Sequence, residues 1–217
     1  MKNILVPIGV DRILERESNL YMRSIINSAN RKGKDIQLIT AKGNVLDSIE
    51  SVEKEIGVDL IVMGPKSNSI KEEVFLGSTT GSVVKKSNIP ILIVPESYVF
   101  KPFNAGIVNK KNALNPLKFI KDRFNPVINL LLVKTPSYTD KDLVLNPALE
   151  SLKSSLTITE NATTFQGVLE HFQSHQPDML CVFRRKRGFF TKLWEKNTIL
   201  KKEFHCNIPL LVLAGKQ

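Results

Sequence analysis

Asp59-Leu60-Ile61-Val62-Met63 and Asn88-Ile89-Pro90-Ile91-Leu92-Ile93-Val94 decide the fold, because both recur 119 residues later. Their counterparts are Asp178-Met179-Leu180-Cys181-Val182 and Asn207-Ile208-Pro209-Leu210-Leu211-Val212-Leu213. The step from the aspartate to the proline is 31 residues in both places. Ile36-Gln37-Leu38-Ile39-Thr40 keeps the same offset to Ser155-Leu156-Thr157-Ile158-Thr159. One spacing held over three apolar segments marks two copies of one unit. The copies are expected at 1–97 and 98–217, joined by a linker from Pro95 to Pro102.

Each copy alternates short apolar runs with amphipathic stretches. The first reads as strand 3–8, helix 12–32, strand 35–41, helix 45–56 stopped by Gly57, strand 59–63, a helix near 78–88 and strand 90–94. On helix 12–32 the residues Leu14, Tyr21, Met22, Ile25, Ile26 and Ala29 fall on one face, expected against the sheet. The second reads as strand 104–109, helix 113–124, strand 127–133, helix 141–153, strand 155–160, helix 164–175, strand 178–183, a helix near 191–204 and strand 209–213. Strands apolar on both faces and separated by helices predict an α/β fold: two tandem doubly wound, Rossmann-like parallel-sheet domains. From Asn3 to Asp35 is 32 residues, whereas from Asn104 to Ser155 is 51, so the first copy lacks about one strand-helix unit.

The chain has 217 residues, enough for two cores. Its apolar runs are too short to cross a bilayer, and two cysteines do not make a disulfide framework, so a cytoplasmic protein with no membrane partner is expected. The net charge of +10 is divided unevenly. Residues 1–97 hold 13 basic and 12 acidic side chains; residues 98–217 hold 18 and 9. Arg184 to Lys202 alone contains eight basic residues and one acid, Glu195. Such a segment is first a solvated face, and second a surface for anions or acidic protein partners. Phe189, Phe190 and Trp194 within it have a spacing that suits helix packing better than base stacking, so nucleic acid is not the expected partner.

Ligands of doubly wound sheets bind beyond the carboxyl ends of the strands. There the first copy places Gly64-Pro65-Lys66-Ser67, and thirteen residues after Gly64 comes Gly77-Ser78-Thr79-Thr80-Gly81-Ser82, opening a helix. Glycine admits a close backbone approach, and the first amides of a helix present free N–H groups to an anion. Lys66, Ser78 and Thr79 add an ammonium and two hydroxyls. The plainer alternative is a loop with a serine cap.

With these segments the sequence resembles the universal stress protein family in a tandem two-domain form. Lys2-Asn3-Ile4-Leu5-Val6-Pro7 is similar to that family's first strand, and Asp59 to Gly64 and Ile89 to Pro95 to its fourth and fifth. The family motif Gly-x2-Gly-x9-Gly-(Ser/Thr) falls on Gly64, Ser67, Gly77 and Ser78, with serine in place of the second glycine. The resemblance implies a non-catalytic stress-response protein, with ATP or another adenine nucleotide held in the first domain by Gly64, Lys66, Ser67, Gly77, Ser78 and Thr79. Gly9 stands where ATP-binding members carry an aspartate, and Asp11 follows two residues later. In the second copy the motif positions are Phe183, Lys186, Lys196 and Asn197, so no nucleotide is expected there. The alternative is a module that has lost both nucleotide sites and contacts proteins or anions through its basic half. An enzyme of the related nucleotide-alpha-hydrolase kind is a third option, without a general base or carboxylate pair to support it. Weak ATP hydrolysis stays open.

His171 and His175 have i, i+4 spacing but no further ligand, and are read as surface histidines, so no metal is expected. Cys181 and Cys206 are read as small core residues. Single-domain members of the family commonly pair through the fifth strand. The resemblance therefore implies an internal pseudo-dimer, with Pro90 to Val94 and Pro209 to Leu213 meeting about a pseudo-twofold axis.

Overall fold

The computed structural model describes residues 3–7, 15–30, 36, 37, 39, 41, 43–65, 78–95, 98, 105–107, 114–138, 147–184 and 208–214. In chain order these form β1 (Ile4–Leu5), α1 (Glu15–Asn30), α2 (Val45–Ile56), β2 (Leu60–Met63), α3 (Ser78–Lys86), β3 (Ile91–Ile93), β4 (Ala105–Ile107), α4 (Asn115–Phe124), β5 (Ile128–Lys134), α5 (Pro147–Glu150), β6 (Ser155–Glu160), α6 (Thr164–His175), β7 (Met179–Arg184) and β8 (Leu210–Ala214).

The helices begin and end where side chains satisfy the free backbone groups. The Asn44 side chain accepts the Leu46 amide at 2.9 Å, and Gly57 closes α2 at φ +67°, a conformation that favours glycine. Thr163 caps α6 in the same way, its hydroxyl accepting the Gln166 amide at 3.1 Å. Between the caps of α2, Leu46, Ile49 and Val52 recur at helical spacing and are buried.

The strands form one sheet in the order β1-β2-β3-β8-β7-β4-β5-β6. All neighbours run parallel except β3 and β8, which run antiparallel. Alternation along each strand sends side chains to two apolar layers. Ile61, Met63, Ile91 and Ile93 pack with Leu46 and Ile49 of α2, Val83 and Val84 of α3 and Val168 and Leu169 of α6. Leu60, Leu211 and Leu213 pack on the other face with Leu117 and Ile120 of α4 and Leu149 of α5. The expected mostly parallel α/β sheet, covered on both faces, is what the chain forms.

The register at the antiparallel seam is symmetric. Leu92 pairs with Leu211, flanked by Ile91 with Val212 and Ile93 with Leu210. Leu211 is the repeat counterpart of Leu92, so a local twofold axis passes between them and relates the two strand sets. Pairing there also covers two apolar strand edges that would otherwise face water. The Tyr98 hydroxyl donates to the Asp178 carbonyl at 3.2 Å and ties the connecting segment to the second half. Burial first, and then the Asp178 charge, raise the tyrosine's pKa.

Three details of the sequence reading are corrected. Residues 36, 37, 39 and 41, inside the strand expected at 35–41, are not in a strand; 35, 38 and 40 lie outside the described residues. A strand there would have only the two-residue β1 to pair with, and Pro7 has no amide to extend that ladder. Among the described residues the first half therefore contributes three strands against five. Of the helix expected at 141–153, Pro147–Glu150 is helical and 151–153 are not, while 141–146 lie outside the described residues. Tyr21 and Ile25, expected against the sheet, are 68% and 41% exposed, while Met22 and Ile26 are half-buried. The helix expected near 191–204 lies outside the described residues.

Candidate functional site

β2 and β3 run parallel, and the Val94 amide donates to the Met63 carbonyl at 3.0 Å, so their carboxyl ends are level. Gly64 follows β2 at this end and is exposed. A β-carbon built on it would meet no described residue within 4 Å. The chain returns to the same place at α3. The Thr80 hydroxyl Oγ1, on a residue only 3% exposed, donates to the Gly64 carbonyl at 2.9 Å. One bond thus fixes the first turn of α3 against the end of β2, sixteen residues earlier in the chain.

That turn opens at Ser78 and has no acidic residue. Its leading amides lack intrahelical partners, and the helix dipole gives them partial positive charge. Lys85 and Lys86 sit at the opposite end, where cations suit the dipole. The arrangement can therefore accept an anion between the Gly64 backbone and the start of α3. Of the six site residues read from the sequence, Gly64, Thr79 and the Ser78 backbone are placed there. Lys66, Ser67 and Gly77 lie outside the described residues, as do Gly9 and Asp11. Thr80 was missed as a positioning residue.

The second half differs at the matching place. β7 does not stop where β2 does, but continues through Phe183 and Arg184, paired with Leu213 and Ala214 of β8. Phe183, at the position of Gly64, is 5% exposed and packs with Leu130, Leu211 and Leu213. Of the basic segment from Arg184 to Lys202, only the Arg184 backbone is described, and Lys186, Lys196 and Asn197 lie outside.

The His171 and His175 rings stack at 3.9 Å, and His175 Nδ1 donates to the His171 carbonyl at 3.0 Å. Burial first, and then the His175 charge, lower the pKa of His171. Among the described residues no group of three or more histidine, cysteine, aspartate or glutamate side chains could hold a metal ion. Cys181 is fully buried in β7, which pushes its thiol pKa well above the usual range and leaves it a core residue. Cys206, Phe189, Phe190 and Trp194 lie outside the described residues. No described helix is long and apolar enough to cross a membrane.

Known proteins share both the strand pattern and the sheet. A family model described as the universal stress protein family matches residues 9–95. The universal stress protein MJ0577 of Methanocaldococcus jannaschii is 33% identical over 81 residues, covering 37% of this chain and 50% of that protein. Universal stress protein YxiE of Bacillus subtilis is also 33% identical over 81 residues, covering 37% and 55%. The chain thus spans about half the length of the curated relatives it matches. A universal stress protein from Archaeoglobus fulgidus superposes with a TM-score of 0.68 at 15% identity, over 95% of this chain and 80% of that one. A Pseudomonas aeruginosa protein described as functionally unknown superposes with a TM-score of 0.62 at 10% identity, over 97% and 80%. At these identities the superpositions show the fold alone.

Proposed function

Residues 9–95 belong to the universal stress protein family, and from that premise we propose that this chain is a non-catalytic, cytoplasmic stress-response protein that binds an adenine nucleotide weakly through its first half. The observation that carries the reading is the bond from Thr80 Oγ1 to the Gly64 carbonyl, which holds an open glycine turn against a helix start. Phosphate oxygens would meet the leading α3 amides and the Thr79 and Ser78 hydroxyls, with Lys66 supplying charge. Gly77 must let the backbone approach closely, so a carboxylate there repels phosphate. Titrating labelled ATP into the wild type and Gly77→Asp tests this. Saturable binding lost in the variant supports the reading; equal binding, or none, in both removes the nucleotide.

A second reading is favoured by the buried Phe183 and the unbroken strand β7. With Phe183 at the glycine position, the second half would act as an interaction surface for protein or anionic partners, and the first half would have lost its nucleotide as well. Melting with and without millimolar ATP separates the two readings. A ligand that binds only the native state raises the melting temperature, so a clear shift with ATP counts against the interaction module.

A further inference from the structure

From the cleft between α2 and the end of α3 we infer a second ligand site, for a free α-amino acid with an aliphatic side chain. The cleft holds about 260 Å³, somewhat below the roughly 300–1,000 Å³ of sites for drug-sized molecules. Leu46 and Ile49, 7% and 3% exposed, give it an apolar floor. Glu50 and Glu53 line it from α2, three residues apart and therefore on one side of that helix. Lys86, in the last turn of α3, and Ser87 after it line the cleft as well. Gly64 is tied to the first turn of α3, the opposite end of the helix, so this cleft is separate from the proposed nucleotide site.

Glu50, Glu53 and Lys86 make no ion pair or side-chain hydrogen bond with any described residue. Ser87 is only 7% exposed. Its hydroxyl oxygen accepts the Ile89 amide at 3.1 Å, and its own proton has no acceptor among the described residues. A buried donor of this kind calls for a partner. The repeat shows that packing does not require these groups. At the offset of 119, Glu50, Glu53 and Ser87 correspond to Leu169, Phe172 and Cys206. Leu169 and Phe172 pack in the apolar layer of the sheet. Leu46 and Ile49 correspond to Phe165 and Val168, so the floor is apolar in both halves, whereas the two carboxylates and the hydroxyl belong to the first alone. Charge selects the ligand. A plain cation leaves Lys86 without a partner, and a plain anion leaves Glu50 and Glu53; a zwitterion satisfies all three. Its ammonium group lies between Glu50 and Glu53, its carboxylate takes Lys86 and the Ser87 hydroxyl, and its side chain rests on Leu46 and Ile49.

Amide chemical shifts of the full chain, followed as L-leucine is added, test this beside two blocked probes. N-acetyl-leucine lacks the ammonium group, and leucinamide lacks the carboxylate. L-leucine is expected to give saturable shifts at Glu50, Glu53, Ser87 and Asn88, all in the cleft wall. Each blocked probe is expected to bind about tenfold more weakly or worse. Glu53→Gln and Lys86→Gln are each expected to weaken leucine by a similar factor with unchanged melting, since Glu53 is only half-buried and Lys86 is exposed. Glu50→Leu/Glu53→Phe, which installs the residues of the second half, is expected to abolish binding; should it not fold, the two glutamine variants decide. No saturable shift at millimolar leucine, equal binding of all three probes, or leucine binding untouched by Glu53→Gln and Lys86→Gln overturns the inference.

Discussion

Gly64 and Phe183 stand 119 residues apart at matching positions, and the two strand ends differ sharply there. At Gly64 the strand ends, the residue is exposed, and no described residue lies within 4 Å of a β-carbon built there. At Phe183 the strand continues and the side chain fills the core. The strands on either side of the seam recur in both halves, where they bury apolar segments. After this strand the first half runs into an exposed glycine, while the second continues its strand through Arg184.

The contrast is measurable, beginning with the positions themselves. Phe183→Ala removes a nearly buried aromatic and is expected to cost about 3–5 kcal/mol in denaturant unfolding. Gly64→Ala meets no described residue within 4 Å and is expected to leave stability within about 0.5 kcal/mol. Comparable losses at both positions would erase the difference between the halves.

Two other glycines extend the comparison to the helices. A β-carbon at Gly167 of α6 would lie 2.6 Å from Val133 Cγ1 and 2.9 Å from Cγ2, so α6 approaches β5 closely. Gly167→Ala is expected to destabilise by about 1–3 kcal/mol. Gly81 of α3 has no neighbour within 4 Å of that position, so Gly81→Ala is expected to stabilise by about 0.5–1 kcal/mol through helix propensity. Thermal melts of the two variants should therefore move in opposite directions. Thr80→Val leaves the Gly64 carbonyl without its donor, and is expected to cost about 1 kcal/mol while weakening nucleotide binding. An unchanged nucleotide affinity would make this bond structural only.

The smallest effect belongs to His171. Its pKa lies below the ordinary 6.5, so the unfolded chain binds its proton more readily than the folded one. Its stability contribution is complete above about pH 6.5 and falls as the pH drops through that value. His171→Gln should flatten the melting temperature between pH 7.5 and 5.5; an identical decline in both proteins would assign it to other groups.

Where sequence and structure agree, two independent signals coincided. α2 matches its expected bounds because Asn44 and Gly57 cap a stretch with helical apolar spacing, and α6 because Thr163 opens it. The strand expected at 35–41 had alternation alone, and alternation does not supply a neighbour to pair with. Tyr21 and Ile25 were placed on the core side because periodicity gives a face but not its rotation against the sheet. The family motif was legible as spacing. The bond from Thr80 to Gly64 was not, since it joins residues sixteen apart through a fold-dependent contact.

The central claim is that nucleotide binding is confined to the first half, at the end of β2 and the start of α3. Amide chemical shifts of the full chain, followed as ATP is added, test it residue by residue. The account predicts saturable shifts at Gly64, Ser78, Thr79 and Thr80, with Phe183 and Arg184 unmoved. Shifts centred on the end of β7, or none at Gly64 and Ser78 at millimolar ATP, would contradict it.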